Sequence, residues 1–459
     1  MGKLIIISNR VPLPDKHGNA PAGGLAVALQ AALEKKGGLW MGWSGKIISD
    51  NLPQPQVNIQ KHDNIEYALL DLASTDVDEY YAGFANRMLW PLCHYRLDLI
   101  DYERKDMAGY FRVNRLFAEQ LQPLIQPDDI IWVHDYHLIP LAAELRRLGV
   151  KNRIGFFLHI PWPSADIVFT LPVHETIMRG LVSYDLIGFQ TDYDLENFIG
   201  CISRENIATP LGENRFKTGS HEFKVGKFGI GIETDKFTDT AQRSEKSALV
   251  RRMRESMTGR DLIIGVDRLD YSKGITNRIE AFEHFVQNNP EYKSKVTFLQ
   301  VTPKSRSEVP EYAEMQSMVA EYAGRVNGAL AAVDWTPIRY ITRSLNRNIL
   351  AGLYRHAKVG LVTPLRDGMN LVAKEYVAAQ DKNDPGVLVL SRFAGASREL
   401  DGALLVNPYD KESVSQAIRH ALNMSQNERQ YRYSSMIKHL QENDINHWCA
   451  NYLGELRCA

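Results

Sequence analysis

Residues 366–376 have the types and order from which a nucleotide-sugar site can be built. They follow a strand-like run at 359–363 and open a helix-like run that continues to 380, which predicts a strand, a turn and a helix N-terminus. The first N–H groups of a helix, at the positive end of its dipole, bind phosphate or diphosphate. Asp367 and Glu375 add carboxylates, which repel a diphosphate but accept hydrogen bonds from sugar and ribose hydroxyls. We therefore predict amides on the diphosphate and acids on the hydroxyls.

A second polar group, Arg268 to Gly274, follows the strand-like run at 262–266. Arg268 and Lys273 would lie beyond the carboxyl end of that strand, where two cations could stabilise the diphosphate of a leaving group. A solvated charged loop is the alternative interpretation. We favour the functional one, because the helix start at 366–376 lies in the same half of the chain.

The first strand-like run ends in Ser8, Asn9 and Arg10, and a glycine pair, Gly23 and Gly24, precedes a helix-like run. Glycines at a helix start let a ligand approach the backbone closely. The same pattern is typical of a tight turn beside a surface arginine, so both interpretations stay open.

Histidines lie at two other strand ends. His134 and His137 could suggest a metal, but their run crosses a strand end, so the imidazoles need not share a face, and no third ligand is evident. We therefore predict no metal there and assign Asp135 and Tyr136 to hydroxyl or phosphate binding. His159, at the end of the run 154–159, is either a core histidine or a functional residue at the sheet edge.

Aromatic residues are concentrated in one part of the first half. Aromatic rings beside polar groups suit stacking on sugars, and a core or interface belt explains the pattern equally well. The residues concerned are Trp40, Trp43, Tyr80, Tyr81, Trp90 and Tyr95.

These residues would be positioned by strands that alternate with helices along the whole chain. That alternation predicts an α/β fold with two doubly wound units, each a parallel sheet covered on both faces. Strands are predicted at 4–8, 130–134, 154–159, 186–190, 262–266, 296–301, 359–363 and 387–390, and helices at 25–35, 138–148, 195–203, 278–286, 312–322, 348–356 and 371–380.

The polar segment 233–246 is poor in core residues, and we predict that it is a linker between two domains, 1–235 and 236–439. Ligands of open α/β sheets bind beyond the carboxyl ends of the strands. Two such domains facing a cleft could therefore hold two substrates.

The composition excludes several other functions. Lys+Arg 54 against Asp+Glu 55 gives a net charge of -1, so no overall field attracts nucleic acid or an anionic membrane. The four cysteines have neither metal nor disulfide spacing, and no signal peptide or transmembrane run is evident, which predicts a cytoplasmic protein. The fingerprints of dinucleotide oxidoreductases and P-loop NTPases are absent from the sequence.

The chain resembles the trehalose-6-phosphate synthase family, retaining glycosyltransferases that move glucose from UDP-glucose to glucose 6-phosphate. The resemblance covers nearly the whole chain and is carried by the strings at 8–10, 22–25, 42–45, 132–137, 156–161, 268–274 and 363–376. It implies a GT-B fold of two Rossmann-like domains, with a C-terminal helix at 440–459 packing back on the first.

The resemblance also implies which residues bind each substrate. Glu375 would hold the ribose, His159 and Asp367 would face the transferred glucose, and Arg268 and Lys273 would complete the catalytic group. The donor site would comprise Gly23, Gly24, Arg268, Lys273, Leu345, Asp367, Gly368, Met369, Asn370, Leu371, Val372, Ala373, Lys374 and Glu375. The acceptor site would comprise Arg10, Trp43, Tyr81, Trp90, Asp135, Tyr136 and Arg306, with Arg10, Arg306 and the tyrosines on the 6-phosphate.

The implied reaction is a front-face displacement, in which the leaving diphosphate accepts the acceptor's proton and no protein nucleophile is needed. No cofactor is implied. The implied partners are UDP-glucose, glucose 6-phosphate, further copies of the chain in a dimer or tetramer, and a separate trehalose-phosphate phosphatase acting downstream. The pathway would be trehalose biosynthesis, with roles in osmoprotection and the stress response.

Three residues depart from the family pattern. Leu345 stands where some members have phenylalanine near the uracil, Trp162 where phenylalanine is frequent, and Asp166 where glutamate is found. The choice among UDP-, GDP- and ADP-glucose therefore stays open. Two rival functions are transfer to another acceptor, such as glycerol 3-phosphate or a cyclitol phosphate, and a non-catalytic regulator that binds sugar phosphate.

Overall fold

In a computed structural model the chain divides into two compact units, Met1–Ile230 with Ile445–Ala459, and Gly231–Asp444. The structure describes residues 2–13, 24–34, 37–51, 56–305 and 310–459. Two predicted site residues, Gly23 and Arg306, lie outside these ranges. In the described part of the chain, no helix combines the length and the apolar character needed to cross a membrane.

The first unit is built on a ten-stranded sheet whose order is β3-β4-β2-β1-β5-β6-β7-β10-β9-β8. Neighbouring strands from β4 to β10 in this order are parallel, whereas β3, β9 and β8 are added by antiparallel pairing. The strands are β1 (Leu4–Arg10), β2 (Gly38–Ile48), β3 (Asn58–His62), β4 (Ile65–Ala73), β5 (Ile130–His134), β6 (Ile154–Phe157), β7 (Leu186–Phe189), β8 (Thr209–Gly212), β9 (Arg215–Thr218) and β10 (His221–Lys227).

Helices connect these strands. In α4 the residues Tyr110, Val113 and Phe117 recur at helical spacing and are buried. The helices are α1 (Gly24–Glu34), α2 (Ser74–Asp76), a π-helix (Val77–Leu89), α3 (Trp90–Cys93), α4 (Arg104–Leu121), α5 (Leu141–Arg147), α6 (Ala165–Val168), α7 (His174–Leu181) and α8 (Asp192–Arg204).

The second unit has a six-stranded, wholly parallel sheet in the order β13-β12-β11-β14-β15-β16. Its strands are β11 (Asp261–Val266), β12 (Val296–Val301), β13 (Ile338–Ile341), β14 (Val359–Val362), β15 (Val387–Ser391) and β16 (Leu404–Val406). Its helices are α9 (Thr234–Ser244), α10 (Ala248–Met257), α11 (Ile275–Asn288), α12 (Pro310–Leu330), α13 (Arg347–His356), α14 (Leu371–Ala379), α15 (Lys411–Asn423) and α16 (Gln426–Glu442).

Strand order reverses at one place in each unit. From β1 the chain adds strands on the β2 side and then on the β5 side, and from β11 it adds strands on the β12 side and then on the β14 side. The crevice at the carboxyl ends of the two strands that flank such a reversal is the usual ligand position in open α/β sheets. The topology therefore points to the loops after β1 and β5, and after β11 and β14.

The segment 233–246, predicted to be a linker, lies inside the second unit. Most of segment 233–246 forms α9, which buries Phe237 and Ala241 on one face inside the second unit. Those two residues are four positions apart, so the segment has a helical apolar stripe that its polar composition obscured.

The C-terminal helix α17 (Ile445–Cys458) belongs to the first unit. The ring of Tyr452 stacks on Trp132 of β5, with ring centroids 4.7 Å apart. Its hydroxyl lies 2.9 Å from the carbonyl of Phe156 and 3.2 Å from that of Leu186. A Cβ on Gly155 would lie 2.5 Å from that hydroxyl, so glycine at this position lets α17 pack closely on β6.

We expect Tyr452→Phe to lower the free energy of unfolding by about 1 kcal/mol, the usual net value of one buried hydrogen bond. The fully buried hydroxyl is removed while the ring packing is kept. Urea unfolding would measure the change, with Tyr431→Phe as the control because Tyr431 is 79% exposed. Equal stability of the two variants would contradict a stabilising role for the Tyr452 hydroxyl.

Candidate active site

The predicted nucleotide-sugar segment forms a compact group at the N-terminus of α14. Lys273 Nζ lies 2.5 Å from Asp367 Oδ2, and Asn370 Nδ2 donates to the same oxygen at 2.9 Å. Asn370 also caps α14, because its Oδ1 accepts from the N–H of Ala373 at 3.1 Å. A cation, a carboxylate and a helix cap are thus held together, although Lys273 and Asp367 are 94 residues apart in the chain.

The first turn of α14 presents backbone N–H groups. Amides in the first turn of a helix have no intrahelical acceptor. Asn370 satisfies the amide of Ala373, whereas those of Leu371 and Val372 have no hydrogen-bond partner within the described ranges. Two donors at the positive end of a helix suit a phosphate oxygen.

The turn before α14 is held by the loop that follows β15. The N–H of Ala396 donates to the carbonyl of Met369 at 2.8 Å. A Cβ on Gly395 would lie 1.9 Å from the carbonyl oxygen of Gly368, so only glycine permits this approach. Gly368 and Met369 therefore shape the turn through their backbone.

Lys273 is positioned by a fully buried arginine beneath its loop. Arg278 lies 2.5 Å from Asp267 and donates to Thr363 Oγ1 at 3.0 Å. It also donates to the carbonyl of Lys273 at 3.3 Å. Gly274 ends the turn with φ +62°, and a Cβ there would lie 2.7 Å from the carbonyl oxygen of Thr363. Arg278 thereby joins the loops after β11 and β14 into one support.

Arg268 lies on the same loop, at the carboxyl end of β11, and its side chain is 44% exposed. Its guanidinium is 3.9 Å from Asp270 Oδ2. Asp270 is fixed in turn, since its Oδ1 accepts from the N–H and hydroxyl of Ser272 at 3.0 and 2.8 Å and its Oδ2 accepts from Tyr312 at 3.1 Å. Arg268 is therefore a half-exposed cation beside the loop of Lys273.

Glu375 lies one turn further along α14 and contacts Arg347, the first residue of α13. Its Oε1 is 3.8 Å from Arg347 Nε. Burial raises the pKa of the Glu375 carboxyl to about 7, and the Arg347 cation opposes that shift. Leu345, the predicted uracil neighbour, is half-buried and precedes Arg347 by two residues. Arg347 therefore contacts Glu375, the residue predicted to bind the ribose, and lies two positions after Leu345 in the chain.

The side chain of Lys374 is buried inside its unit, whereas the sequence placed this residue in the donor site as part of the helix start. It is 1% exposed, and its Nζ lies 2.5 Å from Glu399 Oε2. His439 lies 3.4 Å from the same oxygen. Burial lowers the pKa of Lys374, and the Glu399 carboxylate opposes that shift. Lys374 therefore anchors α14 to the interior of its unit, and only its backbone belongs with the predicted donor residues.

In the first unit, Arg10 and two aromatic residues converge at the carboxyl end of β1. The guanidinium of Arg10 lies over the ring of Trp43, 5.5 Å from its centroid. The rings of Trp43 and Tyr81 have centroids 5.7 Å apart. Gly45 has φ +88°, a backbone conformation that favours glycine, and a Cβ there would lie 2.5 Å from the guanidinium. Arg10 is exposed and already stacked, which suits binding of an anionic group.

Tyr81 and Trp90 are carried by the π-helix and by α3 directly after it. Asn86, 2% exposed, donates to the carbonyl of Tyr81 at 2.8 Å. Its Oδ1 accepts from the Tyr136 hydroxyl at 2.9 Å. That hydroxyl was predicted to bind phosphate, whereas here it is engaged inside the unit. The Trp90 and Tyr136 rings have centroids 5.6 Å apart, and both side chains are buried.

Asp135 follows β5 in a strained conformation, with φ 76° and ψ 164°. This region is nearly restricted to glycine and costs about 1–3 kcal/mol. Its N–H donates to the carbonyl of Phe157 at 2.9 Å. Its Oδ1 accepts from the N–H groups of Tyr136 at 3.2 Å and His159 at 3.3 Å. Strain retained at such a position indicates a functional constraint on the carboxylate.

His159 follows β6 and contacts His134 of β5, with His159 Nε2 3.1 Å from His134 Nδ1. Burial lowers the pKa of His159 to about 3. Burial, with a smaller contribution from His159, also lowers the pKa of His134 well below its usual range. Both rings are therefore neutral at physiological pH, and His159 can act on a ligand by hydrogen bonding but not as a cation.

The two histidines considered for a metal have separate partners. His134 contacts His159, whereas His137 stacks on Tyr81 with ring centroids 5.8 Å apart. Across the described ranges, no group of three or more His, Cys, Asp or Glu side chains is placed to hold a metal ion.

The predicted site residues that the structure describes form two groups, one in each unit. The α14 cluster comprises Arg268, Lys273, Leu345 and residues 367–375. The Arg10 cluster comprises Arg10, Trp43, Tyr81, Trp90, Asp135, Tyr136 and His159. Gly24 is the first residue of α1 in the unit of the Arg10 cluster. Each cluster lies at the strand ends where strand order reverses in its unit.

Comparisons with known proteins agree with this architecture. The model of glycosyltransferase family 20 matches residues 3–457 of the chain. A curated relative, the trehalose-6-phosphate synthase of Sinorhizobium fredii, is 64% identical over 460 residues, covering 100% of this chain and 99% of the relative. The chain belongs to glycosyltransferase family 20. The predicted glycosyltransferase class and the predicted resemblance to trehalose-6-phosphate synthases are thereby confirmed.

Solved structures of similar proteins share the fold of this family 20 glycosyltransferase. One is a UDP-forming α,α-trehalose-phosphate synthase from Burkholderia xenovorans in complex with glucose-6-phosphate. It is 46% identical, with TM-score 0.95, over 99% of this chain and 100% of that one. An E. coli protein bound with UDP-2-fluoro glucose is 43% identical, with TM-score 0.93, over 99% and 98%. The predicted α/β class with two parallel-sheet units of GT-B type is confirmed.

Several supporting residues of this family 20 glycosyltransferase were missed by sequence reasoning. Each is buried or half-buried and acts on a residue that is distant in the chain. Periodicity marks such residues only as core or surface positions, so no local signal identifies them. They are Asn86, Arg278, Arg347 and Glu399.

Asp135→Gly should be more stable than Asp135→Ala by about 1–2 kcal/mol. Both changes remove the carboxylate, but only glycine adopts φ 76° without strain. Urea unfolding of the two variants would measure the difference. Each variant serves as the control for the other, because both lack the carboxylate. If alanine were as stable as glycine, the backbone at Asp135 would not be strained.

Glu375→Gln should raise the free energy of unfolding by about 3–4 kcal/mol at pH 8 and by only about 1 kcal/mol at pH 5. The pKa of Glu375 is about 7 in the folded protein and about 4.3 in an unfolded chain. Ionisation therefore opposes folding above pH 7, and this cost disappears as the pH falls toward the unfolded pKa. Urea unfolding at both pH values would measure it, with Glu291→Gln as an exposed control. A gain that is independent of pH would contradict the raised pKa.

Proposed function

We propose that the chain transfers glucose from UDP-glucose to glucose 6-phosphate, giving α,α-trehalose 6-phosphate and UDP with retention of configuration. The observation that carries the proposal is the group of Lys273, Asp367 and Asn370 at the N-terminus of α14. The relative from S. fredii bears the name of this activity. Two similar structures contain glucose-6-phosphate and UDP-2-fluoro glucose, in support of the two substrates.

The α14 cluster suits the donor. The amides of Leu371 and Val372, together with Arg268 and Lys273, would bind the diphosphate. Glu375 would accept hydrogen bonds from the ribose hydroxyls, and its raised pKa means that these bonds weaken below pH 7 as the carboxyl becomes protonated. Each of these groups is placed by bonds within its own unit, which lowers the reorganisation needed on binding.

The Arg10 cluster suits the acceptor. Arg10 would pair with the 6-phosphate, since a guanidinium binds phosphate through two parallel hydrogen bonds. Asp135 would accept from sugar hydroxyls, because its carboxylate is held at the carboxyl end of β5 by backbone N–H groups. The aromatic rings of Trp43 and Tyr81 would cover the sugar.

The reaction would proceed on one face of the transferred glucose. The bond from its anomeric carbon to the diphosphate oxygen breaks, and a bond to the anomeric hydroxyl oxygen of glucose 6-phosphate forms. The hydroxyl proton passes to the departing diphosphate, so UDP leaves with it. No protein nucleophile is needed in this reaction, and Asp367 would instead be held beside the sugar by Lys273 and Asn370, which both bind its Oδ2. The protein instead stabilises charge on the leaving group and aligns the sugars.

Arg268→Ala and Lys273→Ala should each lower turnover by at least about a hundredfold, the usual effect of removing one preorganised charge donor. Turnover would be measured as UDP release from UDP-glucose with glucose 6-phosphate, and the disaccharide identified by NMR. GDP- and ADP-glucose would be assayed in parallel.

The matched control is Lys293→Ala, which removes an exposed lysine of the same unit and should leave turnover unchanged. Near-normal turnover in both α14-cluster variants would overturn the donor assignment. Uptake of glucose 6-phosphate without any UDP release by the wild-type chain would favour a binding protein over an enzyme.

A further inference from the structure

His134 has no part in the reaction described above, yet it is fully buried in the first unit. It is the last residue of β5, and its Nδ1 lies 3.1 Å from Nε2 of His159. His159 is half-exposed and lies beyond β6 at the same end of the sheet. Because the buried ring of His134 contacts His159 of the Arg10 cluster, it is a candidate for controlling the protonation of His159.

The contact requires one proton between the two nitrogens. Two bare nitrogens would repel each other, and two N–H groups would clash, so one ring donates and the other accepts. Burial lowers the pKa of both histidines, so neither ring carries a second proton near neutral pH. The pair therefore has two arrangements, which differ in the ring that donates.

The surroundings of His134 select between these arrangements. Its other nitrogen, Nε2, is buried with no hydrogen-bond partner in the described ranges. The rings of Trp132 and Trp448 lie 4.5 and 6.4 Å from that of His134. Their indole N–H groups are also buried, and neither makes a well-aligned hydrogen bond within the described ranges, although that of Trp132 lies beside the Tyr452 hydroxyl. Indole nitrogens only donate, so a protonated Nε2 would add a third donor to a cluster short of acceptors.

A bare Nε2 is the arrangement that this cluster favours, since buried donors without partners are rarer than buried acceptors without partners. The proton of His134 then lies on Nδ1 and is donated to His159 Nε2. His159 in turn carries its proton on Nδ1, the ring nitrogen that His134 does not contact. The backbone of His159 is fixed as well, because its N–H donates to Asp135 at 3.3 Å.

We propose that His134 is a positioning residue that holds the proton of His159 on Nδ1, so that His159 donates a hydrogen bond to a hydroxyl group of the transferred glucose. The proposal rests on the proposed function for the identity of the sugar. The statement that the proton of His159 lies on Nδ1 concerns the free protein and does not depend on any activity.

The test is a long-range ¹H–¹⁵N NMR spectrum of the full chain labelled with ¹⁵N-histidine, assigned with His159→Gln. We expect His159 to show a protonated Nδ1 and a bare Nε2. In His134→Leu this pattern should change to the other tautomer or a mixture. In His134→Asn, whose amide can replace the Nδ1–H donor, it should be retained. A wild-type His159 protonated on Nε2, or an unchanged pattern in His134→Leu, would overturn the proposal.

Ligand titrations separate the sugar contact from the tautomer. UDP-glucose should shift the His159 Nδ1 signal, whereas UDP alone should not, and an equal response to both would overturn the contact with glucose. If UDP-glucose perturbed no signal at all, the proposed function would fail while the tautomer pattern would still decide the role of His134.

Kinetics supply a second readout. His134→Leu should lower kcat/KM for UDP-glucose by about tenfold, the size expected for one misplaced hydrogen bond, and His134→Asn should recover most of it. The control is His62→Leu, an exposed histidine of the same unit, which should leave kcat/KM unchanged. If His134→Leu failed to fold, the wild-type spectrum and His134→Asn would still decide the question. Loss of activity in His134→Asn equal to that in His134→Leu would overturn the positioning role.

Discussion

The constraint on which both clusters depend is the reversal of strand order beside β1 and beside β11. At a reversal, the loops after two adjacent parallel strands diverge to opposite faces and leave a crevice at the strand ends. Arg10 and Asp135 occupy this position in the first unit, and Lys273 and Asp367 occupy it in the second. Polar residues distant in the chain meet there because the sheet brings their strands side by side.

Buried charges beneath the crevice of the second unit keep its residues in place. Arg278 joins the loops after β11 and β14 through the carbonyl of Lys273 and the hydroxyl of Thr363. The buried Lys374–Glu399 pair anchors α14, so its first-turn amides are presented by a fixed helix. Buried ion pairs contribute little net stability, and their use here is positional. The residues that would meet substrate are thus held by buried charges that would not.

The sequence predicted the elements well where periodicity was simple. The buried parallel strands β5 and β12 have the predicted bounds, and the helix predicted at 371–380 begins at Leu371 as expected. Segment 233–246 was misread because composition was weighed above the spacing of Phe237 and Ala241. The direction of the Lys374 side chain was not predictable from the motif, because a motif places a residue on a helix whereas the packing around that helix decides where its side chain lies.

The amino-acid sequence by itself determined the local chemistry of this glycosyltransferase: parallel strands that end in polar residues, glycines that permit tight turns, and a helix that begins at a capping asparagine. These features are local, since they depend on residues a few positions apart. The tertiary structure alone decided that Lys273 meets Asp367, that Arg347 contacts Glu375 and that His134 contacts His159. Such pairings follow from strand order and burial, which no short stretch of sequence encodes.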